Sequence, residues 1–456
     1  MNFFPPLVGF AIVIIAIRLI LKKVNPHAVL LFSGIFMLVI AWVIDMELPI
    51  PKESTGSHFL DFFRLVKESF AKTNAGVGLM IMSIGGFVSY IHHIGASSVL
   101  VQIAIKPLSI FKSKPNLLAV LVIPIGQLLF VCIPSAAGLG LLLMASVFPV
   151  LLKLGVSRIS AASVITACTA FGVGPASAIT ARASEISGSV VISYFIEHQI
   201  PLVLPLSIFL SMSYYFVNKY FDAKNTEVNK IISKDQVNQI QKLPKIYALI
   251  PILPLFLLII FSDLFQLFSN VILLDTTTAM LISLVVAMTF EWIRIKSISK
   301  VFNSLSVFWN GMGDIFKTVV TLIITAEIFS KGLISLGTID ALVYVSQNIG
   351  MEAIGIAFIM TVIIFTASMV MGSGNASFFA FAPLSSEIAN SYDVSSIAFV
   401  LPMNLSASMG RALSPISGVL IAVSELAGVS SMDIVKRNFI PLTLNMILLL
   451  IIHFIL

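Results

Sequence analysis

The sequence predicts an all-α membrane protein with about ten transmembrane helices and two re-entrant hairpins, arranged as two inverted-topology repeats. Three observations support this fold class: an apolar composition, interrupted apolar segments in corresponding places, and an uneven distribution of basic loops. Of the 456 residues, 58% are hydrophobic and only 11% are charged. Ordinary soluble domains contain about 25% charged residues. Water is therefore not the main solvent of this chain.

Long apolar segments recur from one end of the chain to the other. Several approach the ~20 residues that a helix needs to cross a bilayer. They include residues 7–20, 28–44, 200–217, 247–261, 277–290 and 441–456. Because these segments fill the chain, a soluble enzyme with a single membrane anchor is excluded. The N-terminal MNFFPPLVGF has no basic start and no cleavage site typical of a secretory signal, so we expect it to begin the first transmembrane helix.

Composition and motifs exclude several other classes. The formal net charge is +6, but the basic residues lie in short loops, where they orient helices rather than bind nucleic acid. Cys132 and Cys168 lie in apolar segments, so we expect packing roles and no disulfide. No catalytic triad, metal-ligand spacing or nucleotide-binding fingerprint is present. The sequence therefore predicts neither an enzyme nor a bound metal or cofactor, beyond a coupling ion.

Two polar segments divide the apolar ones. Residues 218–245 carry six Lys in NKYFDAKNTEVNKIISKDQVNQIQKLPK and are predicted to form a cytoplasmic linker. Residues 45–74 contain HFLDFFRLVKESF, whose apolar residues repeat at helical spacing. We expect that helix to lie flat at the outer membrane interface.

Short matches between the two halves of the chain predict an internal repeat. IPL at 200–202 recurs at 440–442, and SEISG at 184–188 recurs as SELAG at 424–428, both 240 residues later. IGA at 94–96 matches LGT at 336–338, 242 residues later. The matches are collinear, which single chance matches would not be. The first repeat is predicted to span residues 1–217 and the second residues 246–456.

The flanking charges predict opposite orientations for the two hairpins. The first hairpin, residues 116–152, is interrupted at PSAAG and has basic flanks at Lys114 and Lys153. The second, residues 352–388, is interrupted at GSGNAS and has acidic flanks at Glu352 and Glu387. By the positive-inside rule the first opens to the cytoplasm and the second to the outside. Paired hairpins of opposite orientation are typical of inverted-topology transporters.

A broken helix is predicted beside each hairpin, at residues 159–187 and 397–427, interrupted at FGVGPAS (171–177) and SASMGRALSPISG (406–418). Unwound backbone at membrane depth is tolerated only where it is buried in protein or lines a watery cavity. Free amides at the start of a half-helix bind anions, and loose carbonyls on the other side of a break could hold Na⁺. The predicted substrate-binding residues are Ser135, Gly138, Thr169, Ser177, Ser373, Gly374, Asn375, Ser377, Asn404, Ser408, Arg411, Ser414 and Ser417.

Two alternatives accompany these residues. Any one serine could simply donate back to a carbonyl of its own helix, although the clustered set favours a site. Arg411 is the sharpest candidate, because a charge inside a transmembrane segment is costly and a guanidinium can hold a carboxylate through two parallel hydrogen bonds. Its alternatives are snorkelling to a headgroup, or a salt bridge to Glu425 or Glu185. Arg182 is a weaker candidate of the same type.

The sequence leaves the coupling ion open between H⁺ and Na⁺. Candidate proton carriers are the ionisable residues in or near apolar segments: Glu327, Asp314, Glu185, Glu425 and the pair His92-His93. Glu327 is the most deeply placed acid. A position at a loop end is equally plausible for Asp314 and both histidines.

At these interruptions the chain resembles the DcuC family of anaerobic C4-dicarboxylate carriers. The resemblance depends on SAAGLGLLLMASVFPVLLKLGVSR (135–158), GSGNASFFAF (372–381) and GRALSPISGVLIAV (410–423), supported by YIHHIGASSVLV (90–101). It implies a homodimeric protein of the bacterial inner membrane that exports or exchanges succinate, fumarate or malate, with substrate and ion ligands at the hairpin tips. Pro134-Ser135 and GPASAITARAS (174–184) differ from that pattern. An amino acid or a peptide-like anion is the alternative cargo.

Overall fold

The computed structural model describes residues 4–22, 24–111, 113–224, 243–262, 272, 274–348 and 352–455. Every regular element within these residues is helical, which confirms the all-α prediction. Nine of the described helical stretches are long and apolar enough to cross a membrane. This number agrees with the prediction of about ten.

The first half of the chain contains twelve α-helices in the part described. A π-helical segment, Asn74–Gly78, joins the third to the fourth, and another, Tyr194–Gln199, joins the eleventh to the twelfth. The helices are α1 (Phe4–Leu21), α2 (Pro26–Val43), α3 (His58–Thr73), α4 (Leu79–His93), α5 (Ala96–Ile105), α6 (Pro115–Cys132), α7 (Ala136–Ser146), α8 (Phe148–Lys153), α9 (Arg158–Ala167), α10 (Ala178–Ile186), α11 (Val191–Ser193) and α12 (Ile200–Lys224). A 3₁₀ helix, Lys106–Phe111, follows α5.

The described residues of the second half form eleven α-helices, preceded by a 3₁₀ helix at Lys245–Leu249. They are α13 (Leu253–Ile260), α14 (Thr276–Ile295), α15 (Ile298–Ile315), α16 (Thr321–Ser335), α17 (Thr338–Asn348), α18 (Ala353–Met371), α19 (Gly374–Phe381), α20 (Pro383–Ser391), α21 (Ile397–Ala412), α22 (Gly418–Ala427) and α23 (Ser431–Phe454). A π-helical segment, Phe316–Val320, joins α15 to α16.

Helices of each half pack against helices of the other half. α2 packs against α16 while α4 packs against α14, and α12 packs along α23. The π-helical segments before α4 and α16 also stand at the same place in the element order of the two halves. The inverted symmetry and the membrane orientation of the hairpins stay predictions, with which this order agrees.

Large apolar side chains cover the outer surface of the helices. Phe32 is 72% exposed, Leu128 is 67% exposed and Phe216 is 63% exposed. Exposed apolar surface on this scale is unfavourable in water, whereas hydrocarbon is its natural solvent. The surface therefore fits a chain that is surrounded by lipid.

The amphipathic segment at 58–70 is helical, as predicted. In α3, Phe62 and Leu65 are buried and pack with Leu38 and Ile328, while Phe59 and Phe63 stay exposed. The chain then bends at Gly76, whose backbone angles (φ −104°, ψ −116°) are not helical, and continues into α4. The flat position of α3 at the outer interface stays a prediction.

The predicted linker begins within a helix, because α12 continues to Lys224. Residues 225–242 of the linker lie outside the described residues. Arg437 lies inside α23 and is only 4% exposed. It donates to Asp222 Oδ1 at 2.7 Å and stands 4.9 Å above the ring of Phe221. This ion pair connects the ends of the two halves.

Candidate substrate site at four interrupted helices

Four helices are interrupted near the positions that the sequence predicts. Two are the hairpin tips: residues 133–135 between α6 and α7 form the first tip, and residues 372–373 between α18 and α19 form the second tip. The other two lie in the broken helices: residues 168–177 between α9 and α10 are called the first interruption, and residues 413–417 between α21 and α22 the second interruption. The predicted start of the last interruption is wrong, because Ser406–Ala412 continue α21. Pro415 lies where the helix has already ended, and proline disfavours its continuation.

A serine stands at the N-cap of each half-helix that leaves an interruption. The four caps are Ser135, Ser177, Ser373 and Ser417. Ser135 Oγ accepts the amide of Gly138 at 3.2 Å, and Ser373 Oγ accepts the amide of Ala376 at 3.2 Å. A cap of this kind satisfies one of the free first-turn amides and leaves others available. Such helix starts attract anions.

Backbone contacts bring the second hairpin tip, α21 and the first interruption together. A Cβ on Gly374 would lie 2.8 Å from the carbonyl oxygen of Ala407, so the tip backbone rests directly on α21. On the neighbouring residue of α21, Ser408 Oγ occupies the space in which a side chain on Gly172 would stand. α21 is therefore held between the second tip and the first interruption.

Three further contacts close these elements into a ring. A Cβ on Gly372 would lie 3.0 Å from Ile416, which joins the second tip to the second interruption. The second interruption continues into α22, which packs along α7. A Cβ on Gly174 would lie 2.8 Å from Val131, next to the first tip. The four interruptions thus surround one region of the protein.

Gln199 is the buried polar residue of this region that the sequence did not reveal. It is fully buried at the end of the π-helical segment before α12. Its Oε1 accepts the amide of Gly174 at 3.0 Å, while its Nε2 donates to Thr180 at 2.9 Å and to Asn404 Oδ1 at 2.6 Å. Gln199 therefore connects residues 168–177 and the first turn of α10 to α21. In the sequence, Gln199 is notable only because it precedes the repeated Ile-Pro-Leu motif. That position does not predict a contact with a residue 205 positions later.

The Gly172 carbonyl inside the first interruption is fully occupied by protein donors. Ser177 and Thr180 each donate to it at 3.2 Å, and Asn404 Nδ2 donates at 3.3 Å. A carbonyl that already accepts three hydrogen bonds has no lone pair free for a cation. In this arrangement the Gly172 carbonyl stabilises the unwound backbone and is not available as an ion ligand.

Replacing Gln199 by leucine is expected to lower both thermal stability and transport. The change leaves two buried polar groups unpaired, the Gly174 amide and Asn404 Oδ1, and each costs about 1–3 kcal/mol. The melting temperature of the purified protein and initial transport rates in proteoliposomes check this expectation. Gln102→Leu, at an exposed position of α5, is the matched control. Equal melting temperatures and transport rates of the two variants would show that the hydrogen bonds of Gln199 do not stabilise the site.

Arg411 lies at the end of α21 and is half-buried. Its Nη2 donates to the carbonyl oxygen of Thr169, at the end of α9. Among the described residues it has no carboxylate within ion-pair distance, whereas Arg182, Arg294 and Arg437 pair with Glu185, Glu291 and Asp222 respectively. The alternative of a salt bridge to Glu185 or Glu425 is therefore not what the structure shows. A guanidinium has five donors, so Arg411 keeps the capacity to bind an anion.

The predicted site residues fall into two groups by exposure. Those that are partly exposed, and so can touch a ligand in this conformation, are Ser135, Gly138, Ser373, Asn375 and Arg411. The buried ones are Thr169, Ser177, Gly374, Ser377, Asn404, Ser408, Ser414 and Ser417. Several of these hydroxyl groups donate back to a nearby backbone carbonyl, which is the alternative given above for a single serine. Thr169 donates to the Thr166 carbonyl at 3.1 Å, and Ser377 donates to the Gly374 carbonyl at 3.1 Å. The buried group shapes the interruptions.

The candidate proton carriers lie in unlike surroundings. Glu327 is half-buried and pairs with Lys331 at 3.2 Å, and its carboxylate also accepts a hydrogen bond from Ser69 of α3 at 3.3 Å. Asp314, Glu185 and Glu425 are exposed. Within the part of the chain that is described, no group of three or more His, Cys, Asp or Glu residues could hold a metal ion. A role for any of these acids in coupling stays a prediction.

Membrane-length apolar helices around a ring of capped, interrupted helices define a multi-pass membrane transporter. Comparison with known proteins gives the family. Residues 4–456 match the family DcuC, described as a C4-dicarboxylate anaerobic carrier. The chain belongs to this family, which confirms the resemblance, and it is a multi-pass protein of the inner membrane.

Named relatives cover almost the whole chain. The probable anaerobic C4-dicarboxylate transporter DcuC of Vibrio cholerae serotype O1 is 32% identical over 449 residues, which is 98% of this chain and 96% of the relative. The anaerobic C4-dicarboxylate transporter DcuC of Escherichia coli K12 is 29% identical over 452 residues, covering 99% and 96%. The crystal structure of the Alcanivorax borkumensis YdaH transporter, described as having an unusual topology, matches with a TM-score of 0.58 at 11% identity, covering 94% of this chain and 98% of that one. At that identity the likeness shows the fold alone.

Proposed function

We propose that this chain is a secondary transporter that moves C4-dicarboxylates such as succinate, fumarate and malate across the bacterial inner membrane. It works by alternating access, as efflux or exchange coupled to H⁺ or Na⁺. The observation that carries the proposal is Arg411, a half-buried guanidinium without a carboxylate partner among the described residues, at the ring of four interruptions. The names of the relatives support this choice of substrate.

A dianion needs charge-assisted donors to replace the water that it loses on binding. Hydrogen bonds to charged groups contribute about 1.5–3 kcal/mol each. The partly exposed groups of the ring supply such donors: Arg411, the hydroxyl groups of Ser135 and Ser373, and the amide of Asn375. They come from both halves of the chain and can hold the two ends of a short dicarboxylate.

Alternating access follows from the way in which the halves share the site. α7 of the first hairpin packs against α22 of the second half, and α19 of the second hairpin packs against α10 of the first half. With hairpins of opposite membrane orientation, movement of one group of helices against the other would expose the same site to either side. The homodimer expected for the family is part of this proposal.

Counterflow in proteoliposomes tests the function. Proteoliposomes loaded with unlabelled succinate should accumulate labelled succinate faster than liposomes without protein. External unlabelled fumarate or malate should reduce the uptake of labelled succinate. Inhibition by an amino acid or peptide instead would favour the alternative cargo. Repeating the assay with Na⁺ replaced by choline, and with a protonophore, identifies the coupling ion. No accumulation with any dicarboxylate would contradict the proposal.

A further inference from the structure

Each half of the chain has a buried amide side chain just before its Ile-Pro-Leu motif. In the first half this residue is Gln199, which bonds to the first interruption and to α21. In the second half it is Asn438 of α23, which is fully buried. A buried amide is tolerated only when its donors and its acceptor find partners. The partners of Asn438 therefore show which parts of the fold this side chain connects.

Asn438 joins the end of α9 to the end of α21. Its Nδ2 donates to the carbonyl oxygen of Ala412 at 3.0 Å and to Thr166 Oγ1 at 3.0 Å. Ala412 is the last residue of α21, directly after Arg411, and Thr166 lies in the last turn of α9. A carbonyl at a helix end has no amide donor from its own helix. Asn438 supplies the donor that the second interruption removes.

Tyr214 of α12 fixes the orientation of this amide group. The Tyr214 hydroxyl donates to Asn438 Oδ1 at 2.9 Å, and both side chains are fully buried. Because the tyrosine hydroxyl occupies the amide oxygen, the NH₂ group faces Ala412 and Thr166. Donors and acceptor of the amide are thus all paired, and a satisfied buried network of this kind is rigid.

The guanidinium of Arg411 spans the same two helix ends. Arg411 lies in the last turn of α21, and its Nη2 donates to the carbonyl oxygen of Thr169, just beyond α9. Asn438 binds the residue after Arg411 and the residue one helical turn before Thr169. A shift of α21 against α9 would therefore turn the remaining donors of the guanidinium away from their present direction.

We propose that Asn438, oriented by Tyr214, is a positioning residue that sets the direction in which the Arg411 guanidinium meets a carboxylate of the substrate. The inference rests on the proposed function and adds to it two residues that do not touch the substrate. Binding groups must stay within about 0.5 Å of their productive positions. A misplaced guanidinium keeps its charge but loses the two-bond geometry with the carboxylate.

This role also affects the choice of chain length. Ser135 and Ser373, the partly exposed hydroxyl groups at the two tips, are proposed to hold the dicarboxylate together with Arg411. Their distance from the guanidinium then selects the separation between the two carboxylates. If α21 shifts against α9, that distance is no longer fixed, and the preference for a four-carbon substrate should fall.

Initial uptake rates against concentration, for succinate and for glutarate, which is one methylene longer, test the assignment. Asn438→Leu should raise the KM for succinate about tenfold with little change in kcat, and it should lower the preference for succinate over glutarate. Tyr214→Phe, the milder variant, keeps the amide but removes its orienting donor. It should change both quantities in the same direction, with a KM about threefold above wild type.

Tyr194→Phe is the matched control. Tyr194 is also fully buried, but its hydroxyl has no hydrogen-bond partner among the residues that the structure describes. Removing this hydroxyl should leave the KM for succinate and the preference over glutarate at the wild-type values.

A merely structural role predicts another pattern for Tyr214→Phe. The melting temperature and the amount of active protein would fall, while the active protein keeps the wild-type KM and the wild-type preference for succinate over glutarate. That pattern would overturn the assignment. A wild-type protein that transports no dicarboxylate would overturn the proposed function itself, whereas an active wild type with an unaffected Tyr214→Phe variant would overturn only the positioning role.

Discussion

Replacing Arg411 by alanine is expected to reduce succinate transport about 100-fold or more, while the protein still inserts and purifies normally. Two charge-assisted hydrogen bonds to a carboxylate would be lost, each contributing about 1.5–3 kcal/mol. Arg411→Lys keeps the charge but not the planar fork of donors, so we expect it to be strongly impaired as well. Initial rates in proteoliposomes, normalised to the amount of reconstituted protein, measure the effect.

Lys436→Ala is the matched control for the loss of a cation. Lys436 lies in α23, its side chain is 68% exposed, and among the described residues its ion-pair partner is Asp433. Pairs of this kind contribute little, so transport should stay at the wild-type level. If Arg411→Ala also transports at the wild-type rate, Arg411 serves only the Thr169 carbonyl and binds no substrate.

The second large effect is expected from Gly374→Ala, which should abolish transport and lower the melting temperature. The new Cβ would stand 2.8 Å from the carbonyl oxygen of Ala407 and 3.2 Å from its carbonyl carbon. A backbone group cannot rotate away, so the second tip must move off α21. Overpacking of this kind costs about 1–3 kcal/mol, and the displaced tip no longer completes the site.

Gly418→Ala makes the same chemical change in the first turn of α22, where a Cβ meets nothing within 4 Å. Because alanine favours a helix over glycine by about 1 kcal/mol, this variant should be at least as stable as wild type and should transport normally. A Gly374→Ala protein as active as Gly418→Ala would mean that the contact between tip and α21 has no role in the site.

Sequence reasoning predicts best what local chemistry determines. Pro134 and the glycine-rich run from Gly372 end helices through their own backbone properties, so the structure confirms interruptions at both tips. The second broken helix was predicted to unwind from Ser406, but serine and alanine residues tolerate a helix when the surrounding packing favours it. There the burial of α21 outweighs weak local preference, and the helix continues to Ala412.

Contacts between distant residues account for what the sequence did not reveal. Gln199 meets Asn404 of α21, which lies 205 residues later in the chain. Asp222 meets Arg437 where α12 and α23 pack together. His92, predicted as a proton carrier or a loop residue, lies against Gly138 at the first hairpin tip. Its position depends on how α4 reaches the first hairpin, and no periodicity in the sequence records that approach.

Protection of single cysteines by succinate tests the central claim most directly. Ser135→Cys and Asn375→Cys, each in a Cys132→Ala background, place a thiol at either tip, and Cys168 is fully buried. Succinate should slow alkylation at both tips, but not at Ser391→Cys, an exposed position at the end of α20. Unchanged alkylation of both tip thiols, in protein that still transports succinate, would show that the substrate does not bind between the hairpins.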